Sequence, residues 1–281
     1  MTAAQELALA NARWRDAQGL DHRSHFSQRV ATLRQAADRG DGEASWELGC
    51  LLEEGVVNAR GRQLIAPALK DAFTAYLRSA RLGDSSGLLA LGLCYDNGAG
   101  VRQNKQRARQ FYLAVWRRER HYAAASNIAT VHRDLGDMRT ALRWWHKAAA
   151  AGDGDALVCI GYCYYYGLGA RPDRVKSMTA FKRAGDAKSI IELDREEALY
   201  HRAVAQIDRA SGRGRTIARA LLVKANADGD YPEAQALLRQ LDTGRPPVPC
   251  RCRRGLNRAV PGQAPCAVHR RPRRVEVSGL K

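Results

Sequence analysis

LGLCYDNGAGV at residues 91–101 and IGYCYYYGLGA at residues 160–170 decide how this sequence is read. Each begins with an aliphatic residue and a glycine, Leu91-Gly92 and Ile160-Gly161. Each then places a second glycine six residues after the first, at Gly98 and Gly167, and a third at Gly100 and Gly169. Leu48-Gly49 followed by Gly55 repeats the first half of the pattern. A glycine inside a helix costs about 0.5–1 kcal/mol relative to alanine. Its recurrence therefore marks a place where two helices approach too closely for a side chain, and the later glycines end the helix and turn the chain.

Working outward, a second kind of segment follows each of these. Aligning Ala72, Ala108, Ala141 and Ser177 brings the aromatic residues Tyr76, Tyr112, Trp145 and Phe181 into register, spaced 36, 33 and 36 residues apart. A small residue and an aromatic at i and i+4 share one helical face. Gly83 and Gly152 stand where a glycine in the left-handed conformation closes a helix. The same frame recovers Arg29, Leu33, Ala37 and Gly40 upstream and Ala218, Leu222, Asn226 and Gly229 downstream. Repeats of 20 to 50 residues signal a stacked array, here expected from residue 29 to residue 241, after an N-terminal helical segment over 1–28 and before a tail over 243–281.

The string LGxxYxxGxGV resembles the Sel1-like repeat, a relative of the tetratricopeptide repeat, over about three-quarters of the chain. The resemblance implies an all-α protein, a right-handed superhelical solenoid of about five Sel1-like, tetratricopeptide-like helix pairs followed by a non-helical basic C-terminal tail. It also implies a scaffold that binds another protein, through a peptide, loop or helix laid on the concave face, with the first helix of each pair lining that face.

Departures from the pattern locate the irregular parts. The first unit has Leu52 at the tyrosine position and sixteen residues between Gly55 and Ala72, against nine between Gly98 and Ala108, a seven-residue insertion. The unit from Tyr122 to Gly152 lacks the aliphatic-glycine pair. The last unit, about Ile190 to Gly229, is degenerate, with a polar loop expected over 209–215, and Tyr231 to Leu241 reads as a capping helix.

Candidate partner-binding residues are those around the motif: Trp46, Asp96, Asn97, Tyr162, Tyr165 and Tyr166. Tyr162 and Tyr164 to Tyr166 cover too wide an arc of one helix for all to be buried, and exposed tyrosine is a common interface anchor. Tyr164 and one neighbour are expected in the core. Trp145 matches the core anchor, while Trp144 faces another side, half-buried. Cys159 and Cys163 share a helical face at a spacing that can chelate metal, but Cys50 and Cys94 sit near the same motif in other units, which favours burial as small core residues.

Forty-five per cent of the residues are hydrophobic and 7% aromatic, with a net charge of +17. From Thr243 onward nine Arg and one Lys face Glu276 alone, and six of the nine prolines fall here. Within this tail Cys250, Cys252, Cys266 and His269 form C-x-C, thirteen residues, then C-x-x-H, a permissible tetrahedral set for a structural zinc. A disordered basic tail with incidental cysteines is the plainer reading. Residues 269–274, HRRPRR, attract phosphate or acidic surface, but no aromatics interleave to stack on bases, so nucleic acid is the lesser expectation. A zinc-dependent or nucleic-acid-associated regulator acting through the tail is thus the alternative to the scaffold. No phosphate loop, GxSxG or HExxH is present, so catalysis is not expected. An odd count of seven cysteines and no apolar run of membrane-spanning length read as cytoplasmic.

Overall fold

In a computed structural model, residues 22–57, 63–208 and 212–243 are described. They form twelve α-helices and one short ladder. The helices are α1 (His22–Asp38), α2 (Gly42–Glu54), α3 (Leu69–Arg81), α4 (Ser85–Asn97), α5 (Lys105–Glu119), α6 (Tyr122–Asp134), α7 (Met138–Ala150), α8 (Gly154–Tyr166), α9 (Arg174–Gly185), α10 (Glu192–Ile207), α11 (Gly212–Ala225) and α12 (Pro232–Asp242). The fold is all-α, built from helix pairs.

The glycine of each aliphatic-glycine pair receives the aromatic anchor of the following helix. A Cβ on Gly49 would lie 2.3 Å from the Tyr76 ring, one on Gly92 2.3 Å from Tyr112, and one on Gly161 2.7 Å from Phe181. All three rings are buried, so they have nowhere to retreat. The pairs α2/α3, α4/α5 and α8/α9 are joined at these points.

The turn from one pair to the next has its own device, a Gly-Asp junction. Gly83 and Gly152 take positive φ, +88° and +104°, as C′ glycines do. The aspartate that follows each one caps the next helix. Asp84 accepts from the Ser86 amide at 2.9 Å, and Asp153 accepts from the Asp155 and Ala156 amides at 3.0 and 3.2 Å. Asp41 does the same after Gly40, and Asp137 caps α7 in the same way after Gly136, within the α6/α7 pair. An N-cap of this kind is worth roughly 1 kcal/mol.

The chain divides into two compact units at Glu119–Arg120. The first holds α1 to α5, with each helix packed on the next and α2 also against α4. Leu33, Leu48, Tyr76 and Leu91 form its core. The seven-residue insertion is where it departs from pure helix: Val56–Val57 pairs antiparallel with Gln63–Ile65, two short strands β1 and β2. The second unit holds α6 to α12, again with consecutive packing, and α8 also meets α10. At its end Tyr200, Leu222, Tyr231 and Leu237 close a core beneath α12.

α1 runs from His22 through the frame position at Arg29. One loop differs from the sequence expectation: α11 begins at Gly212, so Arg213 and Arg215 lie in a helix instead of a polar loop. Helix propensity explains this: after Gly212 and Gly214 the run from Arg215 contains no breaker until Gly229.

Candidate functional site

In α8 the four tyrosines separate by depth. Tyr162 is completely buried, whereas Tyr164, Tyr165 and Tyr166 are half-buried. Both halves of the sequence expectation are thereby corrected. Tyr162, a candidate contact residue, is interior, and Tyr164, expected in the core, reaches solvent. The cause is α10, which packs on the face of α8 that carries Tyr162.

Tyr162 anchors a buried polar network there. Its hydroxyl donates to the Glu197 carboxylate and lies 3.0 Å from His201 Nε2. The His201 ring stacks on Phe181 at 4.7 Å between centroids, 11° from parallel. Burial holds His201 down at about 3, so it is a neutral imidazole at neutral pH. Tyr166 stacks on Tyr162 at 5.9 Å, and Tyr165 packs edge-on against Tyr166 at 4.8 Å. The two outer rings are thus braced from below by a fixed inner layer. Sequence reasoning missed Glu197 and His201 because they fall in the degenerate last unit, where no motif marks them. Glu196 and Glu197 are both buried, and buried acids demand polar partners, but that burial follows from the packing of α10 on α8 and is not visible in the sequence.

The other candidates lie in the first unit. Asp96 is only 7% exposed and pairs with Lys105 Nζ at 2.6 Å. It is therefore corrected from a contact residue to a structural ion pair between the end of α4 and the start of α5. Asn97, its neighbour, is exposed, and Trp46 is half-buried against the core.

The cysteines of the repeats are thiols. Burial pushes Cys94 up to about 11 and Cys163 up to about 12, and it raises Cys50. Burial, and then the charge of Asp194, raise Cys159 well above its usual range. Among the described residues no three His, Cys, Asp or Glu side chains form a metal cluster. Cys250, Cys252, Cys266 and His269 lie outside the described residues.

Near the start of α8 three carboxylates crowd together. Asp155 Oδ1 accepts from the Ile191 amide at 2.8 Å. Burial first, then the charges of Asp155 and Asp153, push Asp194 up to about 7. A carboxyl whose folded pKa exceeds its unfolded value stabilises the fold below the unfolded pKa, about 4, and that stability is lost as pH rises through 7. Asp194→Asn is accordingly expected to raise stability at pH 8 by on the order of 1 kcal/mol. Urea midpoints at pH 5 and pH 8 check this, and an equal effect at both would sink it.

A groove crosses α7, α8 and α9. A pocket of about 280 Å³ is floored by Leu157, Ile160 and Ala180, with Tyr164 at one side and His146, Lys176 and Arg183 around the rim. Lys176 Nζ lies 5.3 Å from the Tyr164 ring centre, and the Tyr164 hydroxyl is 3.4 Å from His146 Nε2. Burial, then the positive charges of Arg183 and Lys176, hold His146 below the usual histidine range.

Known proteins bear out the helix-pair reading. The Sel1 repeat family matches residues 85–114, 135–153 and 155–189. A Sel1 repeat protein from Oxalobacter formigenes superposes with a TM-score of 0.62 at 20% identity, over 88% of this chain and 90% of that one. A protective antigen present in uropathogenic Escherichia coli strains, displaying an SLR fold, superposes with a TM-score of 0.55 at 19% identity, over 84% of this chain and 56% of that one. No curated protein matches the sequence. Among the described residues no helix is long and apolar enough to cross a membrane.

Proposed function

We propose that this chain, a Sel1-repeat protein, is a protein-interaction scaffold rather than an enzyme, and that it holds its partner on the exposed side of the first helix of a pair. Sel1 repeats typically bind other proteins, and the family supports the class. The observation that carries the finer reading is the layering in α8. Tyr165 and Tyr166 present ring surface to solvent while Tyr162, Glu197 and His201 fix them from beneath. Rigid aromatic rings lose little conformational entropy on binding and are enriched among interface hot spots. In the first unit, Asn97 holds the register position of Tyr166, five residues after the motif glycine, and Trp46 lies three residues before its own motif glycine. They are the contacts this reading assigns to the first unit taken by itself.

Tyr165→Ser combined with Tyr166→Ser tests it. Both side chains are half-exposed, so the fold should survive with a loss of about 1–2 kcal/mol. Capture of the native partner by the full chain, quantified by mass spectrometry, is expected to fall at least about tenfold. Capture equal to that of the parent, from a variant with unchanged circular dichroism, would rule out the α8 face as the contact surface.

A further inference from the structure

The pocket beside Tyr164 becomes informative when it is compared with the same place one motif earlier. An offset of 69 residues maps Leu91 onto Ile160, Tyr95 onto Tyr164, Arg107 onto Lys176 and Tyr112 onto Phe181. In the earlier repeat the position is filled by the chain itself. Phe111 stacks on Tyr95 with ring centres 5.6 Å apart and planes 9° from parallel. Phe73 closes the edge at 5.6 Å and 87°, and the Arg107 guanidinium sits 5.5 Å from the Tyr95 ring centre. The later repeat keeps the tyrosine and the cation but replaces the stacking ring. Ala180 stands where Phe111 stood, and Leu142 where Phe73 stood. The space that Phe111 fills in the earlier repeat lies, beside Ala180, in the pocket of about 280 Å³. An apolar cavity of about 150 Å³ already holds benzene.

Two further exchanges change the polar groups around the same space, and the second adds a positive charge. Leu77 maps onto His146 and Ala114 onto Arg183. α9 carries Arg174, Lys176, Lys182 and Arg183 and no carboxylate. Among the described residues Arg183 makes no ion pair, and Lys176, which also faces the Tyr164 ring, pairs with Asp173 through an exposed contact at 3.4 Å. Such a contact is worth little and is readily exchanged. Loss of an internal aromatic and gain of one unpaired cation, Arg183, thus coincide at one place.

We infer that this pocket is a docking site for an acidic peptide segment of a partner protein, which inserts one aromatic side chain against Tyr164 and sets flanking carboxylates on Lys176 and Arg183. The bound ring takes the place that Phe111 takes on Tyr95. Charge complementarity selects the flanks, with the guanidinium of Arg183 offering a bidentate grip on a carboxylate. The site stands apart from the tyrosine face of α8 proposed above and does not depend on it.

The probe is a short blocked peptide, Asp-Asp-Phe-Asp-Asp, titrated calorimetrically into the full chain at low salt. Saturable one-to-one binding is expected. Replacing the peptide's Phe by Ala should weaken it at least about tenfold, and replacing its Asp residues by Lys should abolish it. Ala180→Phe restores the internal ring and is expected to block the peptide while leaving the melting temperature unchanged or higher. Arg183→Glu with Lys176→Glu, both exposed, is expected to abolish binding with the fold intact, which keeps the test independent of how Ala180→Phe folds. Several results would overturn the inference: no saturable binding, equal binding of the Ala and Phe peptides, or binding unaffected by the double charge reversal. So would an oligothymidine that binds these residues more tightly than the peptide, since that would assign the site to nucleic acid.

Discussion

Gly92→Val is expected to cost about 3–5 kcal/mol and to lower the urea midpoint of the first unit more than any conservative surface change. The reason is geometric. Even a bare Cβ at Gly92 would lie 2.3 Å and 2.6 Å from two ring carbons of Tyr112, a side chain with no exposed surface. Either the ring leaves its place, opening a cavity, or α4 and α5 separate. The helical preference of the new residue over glycine returns only a few tenths of a kcal/mol. Gly83→Ala supplies the contrast. At Gly83 nothing lies within 4 Å and only the positive φ is at stake, so a loss of about 1 kcal/mol is expected. A double-mutant cycle makes the origin explicit, because in a Tyr112→Leu background most of the Gly92→Val penalty should disappear. Purely additive effects would mean that the ring is not what the glycine accommodates.

The second large effect is acid lability of the second unit, centred on His201. An imidazole that titrates near 3 in the fold and near 6.5 when unfolded takes up its proton only on unfolding across that window. Its contribution is complete above 6.5 and is lost as pH falls toward 3. Between pH 7 and pH 4.5 the loss is about 2–3 kcal/mol. Asp194 works in the opposite direction over nearly the same range, because its raised pKa of about 7 makes the folded state gain from protonation. Wild-type stability is thus a partial cancellation, and single variants unmask each half. His201→Phe keeps a flat ring over Phe181 and should reverse the slope, so that stability no longer falls on acidification. It should also cost roughly 1–3 kcal/mol at pH 7, because Tyr162 and Glu197 lose a buried polar neighbour. Urea unfolding at pH 7 and 4.5, followed by near-ultraviolet circular dichroism, reads both. A His201→Phe protein with the wild-type pH slope would show that His201 is not the group that titrates.

The helix pairs were legible because their cause is local. A glycine six residues before another, and an aromatic anchor at a 33-to-36-residue spacing, are each one step from the contact they make. Gly49, Gly92 and Gly161 lie against Tyr76, Tyr112 and Phe181 as the close-approach argument requires. The Gly-Asp junction is equally local, but its aspartate carries no periodic signal: a single acid after a glycine is indistinguishable from a loop residue until the helix that it caps is placed. The insertion was found by counting, yet its strands were not, because two-residue pairing carries no hydrophobic alternation to detect.

The candidate site was less legible, for a physical reason. Whether Tyr162 or Tyr164 is buried depends on where α10 packs on α8, and α10 belongs to the repeat whose motif has decayed. Asp96 looked like a surface residue because the ion pair with Lys105 spans a turn. The pocket beside Tyr164 leaves no motif at all. It shows only as a difference between aligned repeats, Phe111 against Ala180, whose meaning depends on knowing what the phenylalanine does.

The central claim is that the repeats, and not the basic tail, hold the partner. The most direct measurement is quantitative capture of the native partner by a chain ending at Thr243, the residue after α12, set beside the full-length protein. Retention of capture is expected, with any loss confined to a salt-dependent fraction. Complete loss, from a truncated protein whose helicity and urea midpoints match those of the parent, would contradict it and assign recognition to residues 244–281.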